Sequence, residues 1–173
     1  RNILIGTHGE TENRYVAKIT DFGLSRAFYD KSTYAKQDRE KIPWKWMDIY
    51  FLETGTFTMT SDVWSFGIVL WEIFSLGRLP YAGQNARDTI GEINSGYRLP
   101  APVEIRQVKS LSKIYEEVVK KCLLLDPKQR WSFTHLVDYF ETYLTSEEKD
   151  DYKRLEEKYI EMQNIITAKQ TSN

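Results

Sequence analysis

Ser61-Asp62-Val63-Trp64-Ser65-Phe66-Gly67-Ile68-Val69-Leu70-Trp71-Glu72-Ile73-Phe74-Ser75-Leu76-Gly77 is the stretch that decides the fold of this chain. Val63, Phe66, Ile68, Val69, Leu70 and Ile73 place apolar groups on almost every side of a helix, and such a helix belongs at the centre of a domain. Asp62, or Ser61 before it, is a natural N-cap, because a short side-chain oxygen there accepts an orphan backbone N–H. Gly77 is a natural stop, since glycine enters the left-handed region at no steric cost. Trp64 and Trp71 on this helix, and Trp131 beyond it, are read as core.

Downstream, the spacing predicts three more helices. Asn85 to Ser95 ends at Gly96, Leu111 to Leu124 stops before Asp126-Pro127, and Ser132 to Leu144 starts on a serine N-cap. A last helix runs from Ser146 to about Lys169, with Tyr152, Leu155, Tyr159, Met162 and Ile166 spaced three, four, three, four. That row covers about two heptads, short of a coiled coil, so the expectation is a helix folded back on its own domain. Upstream, Ile3 to Ile5 is read as a strand, Gly6, His8, Gly9 and Glu10 as a turn, and Arg14 to Thr20 as a returning strand. Ser25 to Lys41 is charged, turn-rich and without a period, which reads as a loop, interrupted at its end by the aromatic anchors of Pro43-Trp44-Lys45-Trp46-Met47. The organisation expected is one mainly α domain over residues 1–144 and a helical extension over 145–173.

Composition narrows the function classes. A chain of 173 residues can bury one hydrophobic core, and a net charge of -1 gives no basic excess to suggest a nucleic-acid partner. No apolar run reaches the roughly eighteen residues of a membrane span, and the opening Arg1-Asn2-Ile3-Leu4-Ile5 is not read as a secretory signal. The single cysteine, Cys122, excludes an internal disulfide framework and a cysteine-rich zinc site. It sits among apolar residues of a helix, so a buried inert thiol is expected, and a reducing cytosol suits it. The chain starts without Met inside an apparent strand, so position 1 is read as an interior cut in a longer protein or a truncated gene model.

The chemistry lies on the hairpin. Its return brings Asn2 and Asp21-Phe22-Gly23 towards one point. Phosphoryl transfer needs oxygen ligands that hold Mg²⁺ against the phosphates of a nucleotide, and Gly23 lets the backbone swing the aspartate into or out of place. Taken alone, Asp-Phe-Gly fits an ordinary turn equally well.

Around these residues the order of motifs resembles the C-terminal lobe of a protein tyrosine kinase. Arg1-Asn2-Ile3-Leu4-Ile5 is similar to the end of the catalytic loop, and Asp21-Phe22-Gly23-Leu24-Ser25-Arg26 to the start of the activation segment. Pro43-Trp44-Lys45-Trp46-Met47 resembles the tyrosine-specific stretch that docks the acceptor, and Ser61 to Gly77 the family's central helix. Pro80-Tyr81, Gly83, Tyr97-Arg98-Leu99-Pro100, Cys122, Asp126-Pro127 and Arg130 follow in family order, so the likeness runs from Arg1 to about Leu144. It implies a kinase-like C-lobe: a helical bundle with a small β-hairpin and an activation segment, the N-lobe being absent. It implies ATP and Mg²⁺ as cofactors, and protein substrates with an acceptor tyrosine and the missing N-lobe as partners. Localisation would be cytoplasmic, with the parent a candidate membrane receptor.

Site roles follow from the same resemblance. Asn2 and Asp21 would be the Mg²⁺ ligands, Leu4 the apolar floor under adenine, and Arg1 a helper that positions the acceptor tyrosine. Pro43, Lys45, Trp46 and Met47 would dock the substrate, while Phe22, Gly23, Asp62 and Arg130 are structural, Asp62 accepting bonds from the catalytic-loop backbone. Tyr29 and Tyr34 coincide with tyrosines that receptor-type kinases phosphorylate, where a phosphate would order the loop through arginines.

The pattern fails in four places. The catalytic loop's histidine-arginine-aspartate is not among the 173 residues, and neither is the small lobe with its glycine-rich loop and lysine–glutamate pair, so this polypeptide alone is expected to be inactive. Asp48-Ile49-Tyr50 stands where the family has alanine-proline-glutamate, and that glutamate normally pairs with the arginine that Arg130 matches. Glu53, or the hydroxyl of Tyr50, is the expected replacement partner. Leu123 and Trp131 replace a common tryptophan and proline. The altered 43–48 stretch resembles the expanded nematode receptor-like tyrosine kinases. The competing reading is a pseudokinase or stand-alone lobe that works as a protein-interaction module.

Overall fold

The computed structural model describes residues 2–7, 15–22 and 43–143, which fall in two units, one within residues 1–37 and one within 38–173. In the first, β1 (Ile3–Thr7) pairs antiparallel with β2 (Tyr15–Ile19). Gly6 lies inside β1 opposite Val16, not in the turn expected for it. The β-branched Ile3, Ile5, Val16 and Ile19 suit an extended pair, and the apolar side chains Leu4, Ile5 and Ile19 are exposed.

The second unit is helical: α1 (Ile49–Thr54), α2 (Met59–Phe74), α3 (Ala86–Asn94), α4 (Lys109–Ile114), α5 (Lys120–Cys122) and α6 (Phe133–Glu141). α4 and α5 are joined by a π turn, Tyr115–Val119, with helical backbone at both junctions, so Lys109 to Cys122 runs as one helix. Ser132 caps α6 as expected and Asn85, read as the first residue of its helix, caps α3, each accepting the backbone N–H three residues on.

The start of α2 departs from expectation. Its N-cap is Thr58, in a capping box with Ser61 whose hydroxyl accepts the Thr58 N–H at 3.1 Å, so Ser61 and Asp62 lie inside the first turn. At the other end the Gly77 N–H reaches back to the Glu72 carbonyl at 2.8 Å with φ 86°, the left-handed closure that glycine permits. Val63, Trp64, Ile68, Leu70, Trp71 and Phe74 are buried, but Ile73 is 59% exposed, so α2 is central without being apolar on every side. Trp131 is half-buried against this core.

α2 and α5 approach very closely at Gly67. A Cβ there would lie 2.7 Å from the Cβ of Cys122 and 3.1 Å from a methyl of Leu123. The obstacle is a Cβ fixed to the facing backbone, so no rotamer change relieves it. Gly67→Ala is expected to destabilise by about 1–3 kcal/mol, although alanine is the better helix former by about 1 kcal/mol. A urea midpoint that falls at unchanged m would show this; parental stability would mean the helices separate freely.

Candidate functional site

Within the hairpin unit the ladder sets Ile3 opposite Ile19, and the Thr20 N–H continues it by donating to the Asn2 carbonyl at 2.9 Å. Asn2 therefore faces Thr20, and Asp21 is the next residue along. Asp21 has φ 59°, a left-handed backbone that aspartate tolerates better than most residues. Such a conformation costs free energy and recurs where a side chain must be aimed. Leu4 stands opposite Lys18 and is exposed, as is Phe22. Arg1, Gly23, Tyr29, Tyr34 and the tail beyond Tyr143 lie outside the described residues.

Asn2 and Asp21 each offer side-chain oxygen, the donor type Mg²⁺ takes, and two protein ligands suit an ion that fills its remaining positions with phosphate and water. Among the described residues no cluster of three or more His, Cys, Asp or Glu could hold a metal by itself. The donor set fits a cation shared with a nucleotide better than a closed structural site.

In the helical unit the Pro43–Met47 stretch forms a 3₁₀ turn over Trp44–Trp46, bolted to its surroundings. The Trp46 indole N–H donates to Glu72 Oε2 at 3.1 Å, and Ser65 Oγ donates to the Trp46 carbonyl at 2.7 Å. Lys45 Nζ donates to the Tyr81 carbonyl at 3.0 Å, and Trp44 stacks on the Tyr81 ring with centroids 6.4 Å apart. Pro43 is exposed, while Lys45, Trp46 and Met47 are half-buried. Asp62 lies on the solvent side of α2, and partial desolvation raises its carboxyl above the ordinary value.

The partner of Arg130 overturns the expectation. Neither Glu53 nor Tyr50 pairs with it: Arg130 Nη2 donates to Asp48 Oδ1 at 2.7 Å, with both side chains 0% exposed. Its Nε and Nη1 donate to the carbonyls of Leu124 and Thr60, and Nη2 also reaches the Leu125 carbonyl. The guanidinium lies over the Trp64 ring, 5.1 Å from its centroid. Asp48 in turn caps α1 by accepting the Tyr50 N–H, and takes the Ser61 hydroxyl at 3.0 Å. Glu53 instead accepts from Asn94 at the surface, and Tyr50 is partly exposed.

These features agree with a comparison of the sequence with known proteins. The profile of the family described as protein tyrosine and serine/threonine kinase matches residues 1–140. The chain is 36% identical over 146 residues, 84% of its length, to tyrosine protein-kinase src-1 of Caenorhabditis elegans, and 38% identical over 147 residues, 85%, to tyrosine-protein kinase Fgr of Rattus norvegicus. Over its whole length it is 36% identical to platelet-derived growth factor receptor alpha of Xenopus laevis. This chain belongs to the protein tyrosine and serine/threonine kinase family, and its relatives are tyrosine kinases of both Src and receptor types. It spans 26%, 26% and 15% of the lengths of those three relatives. Among the described residues no helix is long and apolar enough to cross a membrane.

Proposed function

We propose that this segment serves a protein that transfers the γ-phosphoryl group of ATP to tyrosine hydroxyls of other proteins. The observation that carries the reading is the hairpin register, which puts Asn2 and Asp21 at one end of a two-stranded ladder. Mg²⁺ held there would supply positive charge against the phosphates. Asn2 and Asp21 would supply the oxygens that hold it, and Leu4 would form the apolar floor for adenine. In the helical unit the Pro43–Met47 turn docks the acceptor, Lys45 and Trp46 through the bonds that hold the turn rigid, and the family resemblance gives Arg1 the role of a positioning helper. The exposed side chains Leu4, Ile5 and Ile19 give a second lobe apolar surface to cover. The general base and the glycine-rich loop are not among these residues, so transfer belongs to the longer protein and residues 1–173 alone do not turn over.

The interaction-module reading draws on the absent glutamate at Tyr50 and on the missing upstream half. The Asp48–Arg130 pair supplies a carboxylate to that arginine from two residues upstream, which removes the first of these supports.

The test is phosphate transfer by the whole protein, with labelled ATP and Mg²⁺, to a tyrosine peptide and to its serine counterpart. Transfer to tyrosine alone is expected, and no transfer to either leaves the module reading standing. In the same assay Tyr34→Phe is expected to lower activity after autophosphorylation and leave the unphosphorylated rate unchanged. Identical progress curves would reduce Tyr34 to a surface residue.

A further inference from the structure

The turn Pro43–Met47 is held at two places. Trp46, towards its end, is fixed to α2 by Ser65 and Glu72. Trp44 and Lys45, towards its start, rest on Tyr81, in the connection between α2 and α3. Tyr81 is a costly residue to use there. Its φ is 48°, in the left-handed region, where glycine or asparagine would sit with less strain than an aromatic side chain. The conformation turns the Tyr81 carbonyl to accept both the Gln84 N–H at 3.2 Å, which closes the turn leading to α3, and Lys45 Nζ at 3.0 Å. The buried ring lies against the Trp44 indole, 6.4 Å between centroids and 25° between planes. The Lys45 ammonium is itself 5.4 Å from the Trp44 centroid, so the three residues close a triangle of contacts. The Tyr81 hydroxyl makes no hydrogen bond among the described residues, which leaves the anchoring to the ring and the carbonyl.

We infer that Tyr81 is a positioning residue for the acceptor, acting through Trp44 and Lys45 to keep the first half of the docking turn in the shape that receives a tyrosine-bearing peptide. The inference rests on the tyrosine-transfer reading above and adds to it a residue outside the turn. A side chain that merely filled the core would need neither a left-handed backbone nor a carbonyl shared with a lysine 36 residues away. Strain of this kind is kept where the surrounding structure uses the geometry it creates. Because α2 holds Trp46 independently, loss of the Tyr81 ring loosens one half of the turn and leaves the other in place. The effect therefore falls on peptide binding, and the phosphoryl-transfer step keeps its rate.

Steady-state kinetics of the whole protein with ATP and a tyrosine peptide test this. Tyr81→Leu keeps apolar bulk and Tyr81→Asn tolerates the left-handed backbone, so one variant still reads out where the other fails to fold. Both lose the ring that meets Trp44. Each is expected to raise the peptide KM about five- to tenfold, with kcat and the ATP KM within about twofold, the pattern of lost uniform binding. Tyr81→Phe, which discards the unbonded hydroxyl alone, should keep the parental peptide KM. Adding Tyr81→Leu to Trp44→Leu should cost no more than Trp44→Leu does by itself, because the two act through one contact. An unchanged peptide KM, or a fall in kcat at constant KM, would make Tyr81 a plain core residue and overturn the inference. A phenylalanine variant as impaired as the leucine one would overturn it too. A parent that transfers nothing to the peptide would instead defeat the tyrosine-transfer reading, and this inference with it.

Discussion

Replacing Asp48 with alanine is expected to cost the helical unit about 3–5 kcal/mol, the range seen when one member of a buried ion pair is removed. The size follows from what Asp48 holds together. Its carboxylate receives the Arg130 guanidinium, the Tyr50 N–H at the head of α1 and the hydroxyl of Ser61 in the first turn of α2. Alanine strands a guanidinium with no exposure to water and removes an N-cap in the same step. Asp48→Asn keeps the shape and part of the hydrogen bonding, and should fall between alanine and the parent. Glu53→Gln, altering a surface bond to Asn94, should stay within about 0.5 kcal/mol. Urea unfolding of the three variants decides the matter: equal losses for Glu53 and Asp48 would refute the assignment.

Asp21→Asn in the whole protein is expected to lower phosphoryl transfer at least a hundredfold, the scale set by groups that stabilise transition-state charge. Asparagine is the clean substitution, because it shares aspartate's tolerance of the left-handed backbone found at φ 59° and so leaves the hairpin its shape. The loss should accompany a rise in the Mg²⁺ concentration needed for half-maximal rate. A variant that kept both its rate and its normal Mg²⁺ dependence would exclude Asp21 as a ligand. The same measurement on Asn2→Ala tells whether the two positions share one ion.

Much of this was readable from the residues. Period located α2, α3 and α6, with Ser132 read as the cap of α6, because amphipathic spacing and N-cap chemistry are local signals. The hairpin between Asn2 and Asp21 was also legible, to within two residues at its strand ends. What escaped reading was short or tertiary. Ile49-Tyr50-Phe51-Leu52 is too brief to show a period, although Asp48 before it and Gly55 after it are a cap and a stop. The cap of α2 was placed three or four residues late because Asp62 or Ser61 was taken as the cap, when Ser61 is the far half of a box begun by Thr58. The π turn at Tyr115–Val119 leaves no mark in the pattern, since Ile114, Tyr115, Val118, Val119 and Cys122 still recur at helical spacing. The partner of Arg130 was sought downstream among groups like the usual glutamate. A capping aspartate upstream is read first as a local device, and its long-range bond needs the fold to be seen.

The tight crossing at Gly67 also shelters the one thiol of the sequence. Cys122 is wholly inaccessible, and burial pushes its thiol up to about 12 against the opposing pull of Arg130. At neutral pH it is neither ionised nor within reach of an alkylating reagent. Labelling can then proceed only through moments when α5 parts from α2, so its rate becomes a natural clock for core opening, with no probe to be engineered.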